Sequence, residues 1–126
     1  MRKSIYTEGL GHKNPIPAAS RVGNVLMSGI VGGVDPATGE PASTLAEQAR
    51  WMFHHVKEIV EAGGGSTDHI IKITVYLKDH HDRAALNAEW EKMFPDPHNR
   101  PARQAMPGNP NADRVIECDF VAVIGG

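Results

Sequence analysis

Apolar residues recur at helical spacing over residues 45–60, where Leu45, Ala49, Met52, Phe53, Val56, Ile59 and Val60 fall on one stripe. Thr44 with Glu47 three residues on reads as a capping-box start, and Gly63-Gly64-Gly65 as a stop. Over residues 70–77 the period drops to two. Ile71, Ile73, Val75 and Leu77 alternate with Lys72, Thr74 and Tyr76, which predicts a strand with those four residues on its core face. Helical spacing returns over 82–94, with Leu86, Trp90, Met93 and Phe94 as the stripe and Pro95 as the breaker. A last period-two stretch covers 114–124. One of its faces is wholly apolar (Ile116, Cys118, Phe120, Ala122, Ile124), whereas the other (Val115, Glu117, Asp119, Val121, Val123) carries two carboxylates between apolar ends. Upstream, residues 4–7 suit a short strand, residues 21–29 a hairpin turning at Gly23-Asn24, and residues 9–17 a stiff loop. Further turn chemistry marks residues 32–39 and 107–111.

A one-sided amphipathic helix needs a flat apolar partner, and the alternating segments supply a sheet. The order of these elements predicts a single domain over residues 1–126 in which a sheet carries both helices on one face. The helices can cover only that face, yet the last strand is mostly apolar on both sides. The second face is therefore expected to meet another subunit, which predicts a homo-oligomer.

Composition narrows the function classes. The chain has 126 residues, 40% apolar and 22% charged, with a net charge of -2 and a sequence pI near 6.4. Neither nucleic acid nor an anionic membrane finds a basic surface in such a balance. A single cysteine excludes an intramolecular disulfide and a cysteine-based zinc cluster. With no apolar leader at the start and no run of membrane-spanning length, the expected location is cytoplasmic.

The candidate chemistry gathers late in the chain. Pro101 fixes its own φ and biases its predecessor towards extended backbone, so Arg103 is expected near the start of a strand, presented rigidly as a carboxylate receptor. Asn87, beside the apolar stripe of the second helix, is either a flank residue or a polar group with a task. Glu117 and Asp119 stand two apart on one strand face, roughly 7 Å between Cα atoms. They suit acid/base work or interfacial ion pairs with arginines, and Asp119 is assigned to such an ion pair. Ser28-Gly29 ends the hairpin strand with a bulge or a close approach. The His54-His55 and His80-His81 pairs lack ligand spacing, so no metal is expected. Cys118 alternates with core residues and reads as an inert thiol. No G-x-S-x-G element is present, and Gly29, Gly32 and Gly33 match no phosphate-loop spacing.

Taken in order, Ser28-Gly29, Asn87 within Leu-Asn-Ala-Glu-Trp, Pro101-Ala102-Arg103, and Ile116-Glu117 in a Val-rich last strand resemble the Rid (reactive intermediate deaminase) or YjgF-like family, over residues 15–123. The resemblance implies an α+β, chorismate-mutase-like fold (a mixed sheet with two helices packed on one face), a homotrimer packed sheet to sheet into a central barrel, and active sites in the clefts between subunits. It also implies a 2-iminobutanoate/2-iminopropanoate deaminase-like hydrolase, which converts 2-imino acids or their enamine tautomers to 2-oxo acids and ammonia with no cofactor. By position, Arg103 would anchor the substrate carboxylate. Glu117 would orient water with the backbone carbonyl of Ala105, and Ser28, Gly29 and Asn87 would line the cleft. The chain departs from the family pattern at Ile16, where a tyrosine is usual, and at Ala105, where many members carry cysteine. The segment from Asn24 to Ser28 is also about one residue shorter. The missing phenol keeps two alternatives open: a non-catalytic trimeric binder of small carboxylates, and a deaminase of a specialised catabolic enamine. A ribonuclease role, which the family has also been given, is disfavoured by the acidic net charge and the lack of basic clusters.

Overall fold

A computed structural model describes residues 1–10, 14–108 and 113–125. The expected loop over 9–17 and the turn over 107–111 lie partly outside these described residues. The strands are β1 (Lys3–Ile5), β2 (Ala19–Val22), β3 (Val25–Ser28), β4 (Val31–Gly32), β5 (Val34–Asp35), β6 (Glu40–Pro41), β7 (Ile70–Leu77), β8 (Ala102–Pro107) and β9 (Ile116–Val123). Two α-helices, α1 (Leu45–Ala62) and α2 (Ala84–Met93), accompany them, with short 3₁₀ turns at Glu8–Leu10 and Thr67–His69. The main sheet runs β1-β2-β3-β9-β7-β8, with β4 also paired to β9, while β5 and β6 form a separate hairpin. β7 and β8 are parallel, joined through α2, and the other pairs are antiparallel. The expected mixed sheet with helices on one face is what the chain forms.

Local chemistry sets these elements. The Thr44 hydroxyl accepts the Glu47 N–H at 3.1 Å and starts α1. The stripe read from the sequence is the buried one, with Ala49, Met52, Phe53, Val56, Ile59 and Val60 packed onto the inner face of β9. Gly23 takes a φ of 56° at the hairpin between β2 and β3, a conformation that costs glycine nothing. Gly33 lets β4 and β5 run close under α1, since a Cβ there would collide with the Gln48 backbone. Gln48 is buried, yet all of its polar capacity is used: Nε2 donates to the carbonyls of Ala42 and Asp113, and Oε1 accepts the Val115 N–H. That amide stitches α1 to the segment entering β9.

One strand departs from its sequence pattern. Ile71 was expected on the core face with Ile73, but it is 52% exposed and Ile70 is buried instead. A register shift between Ile70 and Lys72 against β9 inserts the extra residue. A bulge of this kind turns the alternation over, and strict periodicity does not reveal it. Cys118 is buried, and burial pushes its thiol pKa up, so it behaves as a core residue. Among the described residues no helix is long and apolar enough to cross a membrane.

His55 gives the fold a pH dependence. It is buried on α1, its Nε2 lies 2.7 Å from the Val34 carbonyl, and Nδ1 has no partner among the described residues. Nε2–H therefore donates to Val34, and the ring is neutral. Burial, mainly, holds its pKa below 6.5, with His54 adding to the effect and Val34 and Glu58 opposing it. The unfolded chain then binds a proton that the folded chain refuses. Stability is complete above the unfolded value and falls as pH drops below it, until the folded pKa is passed. Melting temperature should be flat above about pH 7 and decline from pH 6.5 towards 5.5, a decline that His55→Gln removes. An unchanged slope in that variant would locate the titration elsewhere.

Candidate active site

Arg103 is the second residue of β8, a strand at the sheet edge. It stands in register with the buried Ile73, so its side chain projects to the helix side of the sheet. There Nη2 donates to Asn87 Oδ1 at 2.9 Å, and the guanidinium carbon lies 4.9 Å from the centre of the Trp90 ring. α2 presents both partners from one flank because they are three residues apart. The cation is thus gripped by an amide on one edge and an aromatic face below. Its Nη1 is buried without a hydrogen-bond partner, and it has no carboxylate in ion-pair contact, among the described residues. Burial, and then the nearby charge of Arg83, lowers its pKa. A buried donor left unpaired costs about 1–3 kcal/mol, which an incoming carboxylate relieves. Ala105, two residues on, faces the same side and packs against the core.

Glu117 lies on the opposite face. It pairs in register with Tyr76 and with Gly32, while its neighbours Ile116 and Cys118 are buried under the helices. Arg114 Nη1 contacts Glu117 Oε2 at 3.2 Å. Asp119, expected in an interfacial ion pair, accepts the Tyr76 hydroxyl at 3.1 Å within the chain, and this bond raises the phenol pKa. A cleft of about 530 Å³ opens beside β4, lined by Ile16, Ala18, Gly29, Ile30, Gly32 and Arg114 among others. Ile16 is 49% exposed there. Among the described residues a Cβ on Gly29 would meet only the Ala18 carbonyl oxygen, at 3.8 Å, so none of them demands glycine at this position.

Ser28 has a different local task. β3 pairs with β9 as far as Met27↔Val121, and β4 resumes the pairing at Val31↔Cys118. Across that gap the Ser28 hydroxyl accepts the Phe120 N–H at 2.8 Å, satisfying a backbone donor that the departing strand leaves behind.

The residues singled out from the sequence therefore form two groups. Arg103, Asn87 and Ala105 gather at the β8 edge on the helix side. Ile16 and Gly29 line the cleft beside β4, and Glu117, on the other face of the sheet from Arg103, lies near it through Arg114. Two contributors escaped the sequence reading. Trp90 had been assigned to the apolar stripe, although its spacing from Asn87 marks the flank on which a cation can stack. Arg114, three residues before Glu117, was taken only as the strand start. Among the described residues no group of three or more His, Cys, Asp or Glu is placed to hold a metal ion.

Comparison with known proteins adds a frame to this geometry. Residues 12–124 match the family model described as Endoribonuclease L-PSP. The chain is 36% identical over 127 residues to the 2-iminobutanoate/2-iminopropanoate deaminase of Escherichia coli (strain K12), covering 98% of each. It is 38% identical over 103 residues to a RutC family protein of Pasteurella multocida, covering 81% of this chain and 79% of that one. The crystal structure of the YjgF gene product of Escherichia coli superposes with a TM-score of 0.83 at 36% identity, covering 96% of this chain and 98% of that one.

Proposed function

Because the chain belongs to the endoribonuclease L-PSP family, the Rid/YjgF-like proteins, we propose that it hydrolyses 2-imino acids or their enamine tautomers to 2-oxo acids and ammonia. The observation that carries this reading is Arg103, a cation gripped by Asn87 and Trp90 with one buried donor unpaired. Such a group is ready for a carboxylate supplied from outside. The reaction asks little more of the protein. Water adds to C2 of the imine, Glu117 takes a proton from it and returns it to nitrogen, and the carbinolamine then collapses: its hydroxyl proton passes by way of Glu117 to nitrogen, C=O forms and the C–N bond breaks to release ammonia. An imine is already electrophilic, so a fixed anchor and one oriented water suffice.

The reading requires more than one copy of the chain, since Arg103 and Glu117 face opposite sides of the sheet. We propose a homotrimer whose open sheet faces meet in a central barrel, with each site shared between neighbours. Support comes from the open face itself, where Val22, Val25, Met27 and Val123 are 56%, 45%, 57% and 39% exposed. Apolar side chains aligned across β2, β3 and β9 in this way call for a cover.

The test is ammonia release from imines made in place by an amino-acid oxidase acting on alanine or 2-aminobutanoate. The expected result is release that exceeds spontaneous hydrolysis and scales with protein concentration. Sedimentation at micromolar concentration should give three times the 13.6 kDa chain mass. Carboxylate binding without any acceleration would favour the non-catalytic alternative, and a monodisperse monomer would rule out the shared site.

A further inference from the structure

We infer that the preferred substrate carries a second carboxylate, making it a 2-imino or enamine dicarboxylic acid, and that Arg114 recognises the distal group. The inference rests on the deaminase reading above and deepens it. Arg114 is seated in the cleft, not merely near it. Gly32 is buried in β4, and a Cβ there would stand 3.3 Å from Arg114 Cδ and 3.4 Å from Nη1. The missing side chain gives the guanidinium stem a bed against the strand, in the same lining as Ile16 and Gly29.

The contact with Glu117 does not use up this cation. It is made through Nη1 alone, at 3.2 Å, longer than the 2.7–2.9 Å of a strong charge-assisted bond. The Arg114 side chain remains 43% exposed. Exposed Glu8 also lines the cleft and would repel a carboxylate directed at its end. Arg114 is thus the cation in that lining able to receive the distal group. Ile16 matters here too, since it adds apolar wall without a competing hydroxyl.

The experiment compares two imines generated in place, one from aspartate (two carboxylates) and one from alanine (one carboxylate). The quantity read is the ratio of their kcat/KM values. In the wild type the ratio should exceed ten. In Arg114→Met it should fall by about 10- to 100-fold, the range for losing a hydrogen-bonded charge contact, and Arg114→Lys should recover part of it. A wild-type ratio below one, or equal losses on both imines in Arg114→Met, overturns the inference. Equal losses would make Arg114 a positioning residue for Glu117 and leave the deaminase reading standing. If neither imine is hydrolysed, the deaminase reading fails and calorimetry decides about Arg114. Succinate bound more tightly than propionate, with the difference lost in Arg114→Met, supports the second carboxylate subsite, and no difference removes it.

Discussion

Arg103→Ala should lower kcat/KM for imine hydrolysis by about a thousandfold while leaving the fold intact. Two parallel charge-assisted bonds to a carboxylate are worth about 4 kcal/mol together, and each 1.36 kcal/mol is a factor of ten. The fold has little to lose from the change. Arg103 makes one hydrogen bond to the exposed Asn87 and stacks on Trp90, and its buried Nη1 is unsatisfied among the described residues. Melting temperature should therefore shift by only a few degrees. Arg103→Lys should recover no more than about a tenth of the activity, because an ammonium cannot reproduce the planar fork held between amide and indole. Steady-state kinetics with an alanine-derived imine, beside a thermal melt, separate the two effects. Undiminished kcat/KM in Arg103→Ala would remove Arg103 from the site.

Much of this was legible before any coordinates. The α1 stripe, the buried face of β9 and the placement of Arg103 just inside β8 follow from periodicity and from Pro101, each a local rule that tertiary packing does not override here. Ile71 was misread because a bulge obeys the register of a neighbouring strand, which lies far away in sequence. The bond between Asp119 and Tyr76 escaped the sequence for a related reason. Their contact depends on β7 pairing with β9, and no spacing within either strand encodes it. Ser28 shows the limit from the other side. The resemblance implied that it lines the cleft, and nothing in the local sequence showed that its hydroxyl would accept a backbone donor on β9. The parallel register of β7 and β8 had the largest consequence. It sets Arg103 beside Ile73, and so on the side of the sheet away from Glu117.

That separation makes a sharper test than any single variant. Glu117→Gln keeps the shape of the side chain but removes the base that takes the proton from water, a loss of about 10²- to 10⁴-fold. Arg103→Ala removes the anchor. Each variant should be nearly inactive alone. If every site takes Arg103 from one subunit and Glu117 from the next, mixing the two variants restores sites wherever an intact Arg103 meets an intact Glu117. Under random equimolar exchange each condition holds with probability one half, so about a quarter of wild-type activity should return in a cyclic oligomer. The fraction does not depend on the number of subunits in the ring. It does depend on exchange, so the mixture must be co-expressed, or unfolded and refolded together, with a tag on one variant to confirm mixed species. If Arg103 and Glu117 acted within one chain, no mixture could recover activity, because every chain would lack one of the pair. Recovery near a quarter, with both parents inactive, would place the chemistry at the boundary between subunits; confirmed mixed oligomers with no recovery would return it to a single chain.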